Sequence, residues 1–531
     1  MTFLKVVILE YEHPFKYVFC TFNNMKKLLL LLLFISFFSV GQSKVTELKS
    51  LIESDVNTHL NDSLLKLDFN LFSKIVCETS PNLNLKEKED LYSYYNKRSE
   101  KLNGKTMTVI DFFKFLIDKV GDAKLDEHAS IDLSEEVMKE LFNNKKILFP
   151  VPIIILNDKL IVNHENVQIP FGSVISEING ISVEAILDEI IREKSTYQLR
   201  QLEPSFDVLY FIKYGTPKTF NVTYSLPNAI INKTIEISPV DITTRKNIYK
   251  KVTYPLNRAQ LKNHINTEYF VDSDSFYIQL NSFEWNKQVE NIYKAFDNQF
   301  KSIFKTIKKQ KPKNLIIDLR YNRGGKVVIP ALFYSYISQE DFNEYISIRV
   351  PDFDLPAKNN ILSIDNKNVT SENIENFLTD IQKPFTKKND YYQHVFINNI
   401  KKEKKKRRFN GKVFLLVGGV TFSAAAYYTA IFKSNKRGKI IGEQVGGSHH
   451  NITAGNNIVY ELPNSKIKLS MPLGFFKFSK DIETNVPEEN IDPDILVSDE
   501  LIYSSFLKKE DWSLKAVFDL IKKQLITEIN N

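Results

Sequence analysis

The chain has 531 residues, which is long enough for roughly two or three domains with sizeable cores. Its hydrophobic content of 43% and charged content of 25% are ordinary for a soluble globular protein. The net charge of +7 is modest, and residues 401–408, KKEKKKRR, hold seven basic groups with no aromatic residue among them. We therefore expect a solvated loop there and no nucleic-acid partner.

The N-terminus has the pattern of a secretory signal. Met25-Lys26-Lys27 precede an apolar run from Leu28 to Val40, and small residues stand just before Gln42. This run is short for a membrane span. The pattern predicts a signal peptide over residues 1–43 with the true start at Met25, a periplasmic or secreted protein, and no stable membrane span after cleavage. An N-terminal anchor is the alternative.

Cysteine and histidine patterns argue against stabilising bridges and metals. Cleavage of the signal would remove Cys20 and leave Cys77 as the only cysteine, so no intramolecular disulfide could form. The eight His residues are scattered, without HExxH or CxxC spacing. We expect neither a metal nor another cofactor.

Residues 44–146 are predicted to form a helical N-terminal domain. Apolar residues recur there at helical spacing, as in Leu48, Leu51 and Ile52, and again in Phe112, Phe113 and Leu116.

Residues 147–245 change to short β-type runs, which predicts a small β-rich module. Its clearest segment, PFGSVISEING at residues 170–180, reads as a strand followed by an Asn-Gly turn. A free edge of such a sheet could accept an extended peptide, with the N–H groups near Phe171 and Gly172 receiving a terminal carboxylate. The alternative is a module that only packs against the rest of the chain.

Residues 260–531 alternate strands and helices. In chain order we predict a strand at Phe276–Leu280, a helix through 287–308, a strand at Asn314–Leu319, a glycine turn, a helix through 327–338, an insertion at about 340–408, a strand at Val413–Val417, a helix from Ala424, a strand at Lys439–Gly442 and a terminal helix at 511–528. This alternation predicts a mostly parallel α/β sheet.

Ser423 stands at one of the predicted strand-to-helix junctions. The strand Val413–Val417 passes through Gly418 and Gly419 to Ser423, and the helix follows at Ala424. Free backbone N–H groups and the positive end of a helix dipole suit a nucleophile whose reaction places charge on an oxygen. A serine that only caps the helix is the alternative.

A second glycine turn, DLRYNRGG at residues 318–325, directly follows another buried strand. Adjacent glycines let backbone N–H groups approach a bound oxygen closely. The turn does not match a phosphate loop, because the Ser or Thr that should follow Gly325-Lys326 is missing.

These blocks carry a family resemblance. DLRYNRGG, TFSAAA and IIGEQVGG, in this order, resemble the catalytic core of the C-terminal processing peptidase and tricorn protease family of serine peptidases, and PFGSVISEINGISV resembles the PDZ-like domain that often precedes that core. The resemblance implies a crotonase-like α/β core, protein or peptide substrates, and an exported protein like those common in Gram-negative bacteria.

The resemblance also assigns roles to residues. Ser423 matches the nucleophile, the N–H of Ala424 matches one oxyanion donor, and Gly324 or Gly325 matches the other. The Lys that many such peptidases use as a base is replaced by Ser448. The tricorn-like branch instead uses an upstream His, and the segment LDEHAS places His128 there. We therefore nominate His128 as the general base.

Other candidates stay open at this point. His449 and His450 are alternative bases. The carboxylate that orients the base is nominated as Glu483, with the alternatives Glu488, Glu489 and Asp126. The prediction is an exported serine endopeptidase. The alternatives are a catalytically inactive periplasmic peptide-binding or scaffold protein that kept the fold, or an acyl-transfer enzyme for non-peptide substrates.

Overall fold

A computed structural model describes residues 59–117, 128–143, 145–165, 167–191, 195–254, 261–285, 289–343, 347–394, 400–401, 407–448, 450–477 and 490–530. The predicted signal peptide lies outside these residues. The helices are α1 (Asp62–Thr79), α2 (Leu85–Ser99), α3 (Val109–Ile117), α4 (Glu135–Phe142), α5 (Val183–Ile190), α6 (Thr196–Leu202), α7 (Phe206–Tyr214), α8 (Ile242–Tyr249), α9 (Ile292–Gln310), α10 (Val328–Tyr334), α11 (Ile374–Gln382), α12 (Ala424–Ser434), α13 (Asp499–Leu507) and α14 (Trp512–Asn530).

The strands are short and numerous. They are β1 (His59–Leu60), β2 (Met107–Thr108), β3 (Ser130–Asp132), β4 (Ile153–Leu156), β5 (Lys159–Val162), β6 (Val174–Ile178), β7 (Ile181–Ser182), β8 (Phe220–Ser225), β9 (Asn232–Ile237), β10 (Ile265–Phe270), β11 (Ser275–Leu280), β12 (Asn314–Asp318), β13 (Phe342–Asn343), β14 (Ser347–Val350), β15 (Ile361–Ile364), β16 (Lys367–Asn368), β17 (Phe385–Lys387), β18 (Tyr392–His394), β19 (Ile400–Lys401), β20 (Lys412–Val417), β21 (Lys439–Gly442), β22 (Val445–Ser448), β23 (Asn451–Ala454), β24 (Ile458–Glu461), β25 (Lys468–Met471), β26 (Gly474–Lys477), β27 (Asn490–Ile491) and β28 (Ile495–Leu496).

The central sheet is six-stranded and mostly parallel, in the order β10-β11-β12-β20-β21-β28. Strands β11 to β28 run parallel, and β10 pairs antiparallel with β11 at one edge. Every residue of β12 and all but the first of β20 are buried, and most of them are apolar, as expected for strands covered on both faces. The mixed α/β architecture predicted from the alternation of elements is confirmed at this level.

Two layers cover this sheet. On one face, Leu315 and Ile317 of β12 pack in one cluster with Phe296, Phe300 and Phe304 of α9. On the other face, Ile316 clusters with Trp512 of α14 and with apolar residues of β4 and β5. The β-rich module therefore packs directly against the central sheet.

The carboxyl ends of β12 and β20 lie side by side. Asp318 is paired with Leu416, so the loops that follow the two strands leave the sheet next to each other. The buried Arg320 pairs with both Asp318 and Asp511 and thereby ties this edge to the start of α14.

The N-terminal helices are joined to the chain's later half. Strand β3 completes the sheet β16-β15-β24-β25-β3 by pairing antiparallel with β25, with Leu469 opposite Ile131. Asp68 of α1 is fully buried and accepts hydrogen bonds from the backbone N–H groups of Asn464 (3.1 Å) and Ser465 (2.7 Å).

The stretch predicted as an insertion contains regular structure that pairs with the core. Strand β14 pairs with β26, and β15 pairs with β24. The predicted helices also differ in extent: the one expected at 287–308 begins at Ile292, capped by the Asn291 side chain, and the one expected at 327–338 ends at Tyr334.

Candidate active site

Ser423 occupies a backbone conformation that L-residues rarely adopt. Its φ is 56° and its ψ is −124°, at the position just before α12. A non-glycine residue in this region costs about 1–3 kcal/mol and is retained only where the surroundings enforce it. Its side chain makes no capping hydrogen bond to the helix. The capping interpretation of Ser423 therefore does not describe this side chain.

The Ser423 hydroxyl instead contacts a histidine from the N-terminal part of the chain. His128 Nε2 lies 3.0 Å from Ser423 Oγ. His128 precedes β3, and the pairing of β3 with β25 fixes the chain next to it. The structure thus brings together the two residues nominated as nucleophile and base.

Stacked aromatic rings pack against the imidazole of His128. The His128 imidazole stacks on Phe422 with ring centroids 4.5 Å apart and planes 27° apart. Phe422 also stacks with Tyr197 of α6, at 4.8 Å and 22°. Phe422 and Tyr197 are both buried, so the imidazole lies against an array that has little room to move.

The glycine turn 318–325 packs against Ser423. Gly324 has a φ of 105°, and a Cβ added there would lie 2.6 Å from Ser423 Cβ and 2.9 Å from the Ala424 nitrogen. Only glycine permits this approach. Asn322 braces the turn, because its Oδ1 accepts the N–H of Gly324 (2.8 Å) while its backbone carbonyl accepts the N–H of Phe422 (3.1 Å).

These hydrogen bonds distinguish the two glycines that sequence reasoning left open. The N–H of Gly324 is already bonded to Asn322. The N–H groups of Gly325 and Ala424 have no acceptor within the described part of the chain. Ala424 also begins α12, whose dipole is positive at this end.

A shallow apolar pocket opens next to Ser423. It is open to solvent, and its lining residues besides Ser423 are Val327, Ala424, Tyr427, Ile452, Ala454 and Phe476. The wall contains no charged side chain. A small apolar group would therefore be accepted there without desolvating a charge.

A buried ionic cluster supports the loop between β20 and Ser423. Arg200 Nε donates to Glu443 Oε1 (2.8 Å), and Arg200 Nη1 donates to Glu203 Oε1 (2.6 Å). Glu443 Oε2 in turn accepts the N–H of Gly419 (3.1 Å). Burial raises the pKa of Glu203 to about 7, because desolvation of the carboxylate and the nearby charge of Glu443 outweigh the attraction of Arg200. The pKa of Glu443 is lowered despite its burial, because Arg200 offsets the desolvation.

Glu483, Glu488, Glu489, Asp126 and His449 lie outside the described residues. His450 is described, immediately before β23.

The proposed carboxylate-binding turn of the β-rich module is closed. The N–H of Gly172 donates to Val162 O (2.9 Å), and Gly172 O accepts the hydroxyl of Tyr503 (2.9 Å) from α13. The Phe171 ring packs at a tilt against Phe506 of the same helix. These contacts favour the interpretation in which this turn packs against the core.

Sequence reasoning missed Tyr197, Arg200 and Asn322, and gave no role to Glu443 or Phe422. Tyr197 and Arg200 lie more than 200 positions before the loop that they support, and no local pattern connects them to it. Asn322 and Glu443 stood within the quoted blocks, so their positions beside the glycines were the available signal.

Two general properties concern the described residues. Within them, no cluster of three or more His, Cys, Asp or Glu side chains is placed to hold a metal ion. None of their helices is long and apolar enough to cross a membrane.

Comparison with known proteins agrees with the architecture of this site. Residues 274–497, which include both glycine loops and Ser423, match the model of peptidase family S41. This segment is an S41 peptidase core. The chain is accordingly a serine-type peptidase, and proteins or peptides are the substrates that the S41 family implies.

Solved structures extend the likeness beyond the S41 core. Mature CPAF is 12% identical, with a TM-score of 0.58 over 88% of this chain and 98% of that chain. A CPAF mutant is likewise 12% identical, with a TM-score of 0.62 over the same shares of the two chains. At this identity the likeness shows a shared fold. Among curated proteins, none matches the sequence.

Proposed function

We propose that this S41 peptidase is an exported serine endopeptidase that uses Ser423 as nucleophile and His128 as general base. The observation that carries the proposal is the 3.0 Å separation of His128 Nε2 and Ser423 Oγ, which is within direct proton-transfer range. The strained backbone of Ser423 supports it, because such strain clusters at functional sites.

The chemistry follows from this geometry. Ser423 Oγ attacks the scissile carbonyl carbon while its proton passes to His128 Nε2. The carbonyl oxygen becomes an oxyanion, for which the N–H groups of Gly325 and Ala424 are the available donors. His128 then protonates the leaving amine, and water, deprotonated by the same imidazole, hydrolyses the acyl-enzyme.

Substrate binding is assigned to the pocket beside Ser423. Its apolar wall suits a small apolar side chain next to the scissile bond. We interpret the core as crotonase-like and the β-rich module as PDZ-like, with the module acting mainly through its packing on the core. Export to the periplasm or medium rests on the signal pattern at Met25–Gln42.

The decisive experiment is labelling with a fluorophosphonate probe, which reacts with activated serines. We expect the wild-type chain to be labelled, Ser423→Ala to be unlabelled, and Ser434→Ala, at the exposed far end of the same helix, to behave as wild type. An unlabelled wild-type protein would support the inactive binding or scaffold function. Labelling that persists in Ser423→Ala would identify a different nucleophile.

A further inference from the structure

Helix α6 lies outside the S41 core yet contacts three of the segments that build the candidate active site. It belongs to the β-rich module, between β7 and β8 in the chain. Its inner side chains Tyr197, Arg200 and Gln201 each reach a different segment of the core.

Tyr197 acts on the base. Its ring stacks on Phe422, and Phe422 stacks on the His128 imidazole. The Tyr197 ring also lies directly under Gly446, where an added Cβ would overlap its ring carbons. This close fit restricts the ring and, through Phe422, the plane of the imidazole.

Arg200 acts on the loop that precedes the nucleophile. Through Glu443 it is linked to the N–H of Gly419, and its aliphatic stem packs where Gly419 has no side chain. The planar guanidinium of Arg200 donates to both Glu203 and Glu443 in a fixed fork geometry, which the single ammonium of lysine cannot reproduce.

Gln201 acts on the glycine turn. Its fully buried Oε1 accepts a hydrogen bond from Arg323 Nη1 at 2.7 Å. Arg323 directly precedes Gly324, whose backbone packs against Ser423. One short helix is thus connected to the base, the nucleophile loop and the oxyanion turn.

We propose that α6 is a positioning element of the active site, in which Tyr197 sets the imidazole of His128 through Phe422 and Arg200 sets the Ser423 loop through Glu443. This inference rests on the proposed function and adds residues to it that touch no substrate. A base displaced by about 1 Å can cost on the order of 10²-fold in rate. The loss falls on kcat, because the pocket for the substrate is unchanged.

The test compares conservative and ring-deleting variants. Tyr197→Leu should lower kcat and the fluorophosphonate labelling rate by about 10- to 100-fold with little change in KM, while Tyr197→Phe should restore both. The matched control is Tyr210→Leu. Tyr210 is equally buried in the same module but packs against Phe206 and Phe220, away from Ser423. Tyr210→Leu should lower the stability of the protein and leave kcat of the folded protein unchanged.

Arg200→Lys provides the second arm. It keeps the positive charge beside the two carboxylates and loses the fork, so we expect a lower labelling rate in a folded protein. Tyr197→Leu should also be non-additive with Phe422→Leu, because both remove parts of one ring array. Additive effects would contradict the coupling through Phe422.

Failure of this inference is distinguishable from failure of the proposed function. If the wild type is labelled and Tyr197→Leu is labelled equally fast, the positioning role is wrong and the peptidase function stands. If the wild type is not labelled, NMR spectra of protein with isotope-labelled histidine test the positioning role instead. The ring signals of His128 are assigned by their loss in His128→Ala. The ring signals of His128 should change in Tyr197→Leu and stay unchanged in Tyr197→Phe and Tyr210→Leu; unchanged signals in all three overturn the inference.

Discussion

His128 Nε2 and Ser423 Oγ lie 3.0 Å apart although 295 positions separate the two residues in the chain. Strand pairing accounts for this proximity. The residues after His128 form β3, which adds to the edge of a sheet through β25, and that sheet belongs to the later half of the chain. The S41 core therefore receives this imidazole from outside the segment that matches the family.

Replacing His128 should remove general-base catalysis. We expect His128→Ala to lower kcat about 10²- to 10⁴-fold with a smaller change in KM, because the ring contacts the hydroxyl and lies outside the pocket. The control is the exposed His59→Ala, which should retain full activity. Steady-state kinetics on a peptide with a fluorogenic leaving group measure both constants. A His128→Ala variant with unchanged kcat would point to another base.

Gly324 should tolerate no side chain. Its φ of 105° is already unfavourable for alanine, and the added Cβ would collide with Ser423. We expect Gly324→Ala to lower kcat/KM by more than about 10²-fold, comparable to the loss of an oxyanion donor.

Gly104→Ala separates backbone strain from the collision. Gly104 also has a positive φ, 65°, but nothing lies within 4 Å of the position of its Cβ. Gly104→Ala should lower the free energy of unfolding by about 1 kcal/mol and leave the activity per folded molecule unchanged. Equal activity losses in the two variants would exclude a specific role of the turn at Ser423.

Much of the core could be predicted because its signals are local. Apolar runs with glycines at or shortly after their ends identified β12, β20 and β21, and the bounds Lys439–Gly442 were predicted as they are found. The Ser423 junction followed from the same pattern. The family resemblance, rather than any local pattern, supplied His128.

The remaining features depend on contacts between distant segments. Nothing in the sequence around Ser347–Val350 indicates that it pairs with β26. Both strands are short, and each acquires its partner only in the fold. The same holds for α6. Tyr197 and Arg200 fit any amphipathic helix, and only their contacts with the core show their place beside the site. Long-range packing thus determines the part of the site that sequence reasoning missed.

Glu483 remains the nominated carboxylate that orients His128. An orienting carboxylate fixes the tautomer of the base and stabilises the imidazolium. We expect Glu483→Gln to lower kcat by about 10²-fold or more, following the losses seen when such a group is removed. Glu488→Gln and Glu489→Gln are matched controls in the same segment and should retain activity. A loss confined to Glu488→Gln or Glu489→Gln would move the assignment to that residue.

The Arg200 cluster predicts a specific dependence of stability on pH. Burial raises the pKa of Glu203 from 4.5 to about 7. Between these two values the folded state binds more protons than the unfolded chain, so the free energy of unfolding falls as the pH rises through the window. The slope from one such group is at most about 1.4 kcal/mol per pH unit. Glu443 affects a lower pH range. Its lowered pKa stabilises the fold above about pH 4.5, and this contribution is lost as the pH falls further.

Glu203→Gln isolates the Glu203 contribution. The amide keeps an oxygen that can accept from Ile155 N and Arg200 but cannot ionise. We expect the wild type to lose more stability between pH 5 and pH 7 than Glu203→Gln, as measured by denaturant midpoints, whereas the exposed Glu177→Gln should follow the wild type. Parallel pH profiles for all three proteins would mean that Glu203 is ionised throughout this range. Arg200 would then balance two full negative charges beside the Ser423 loop.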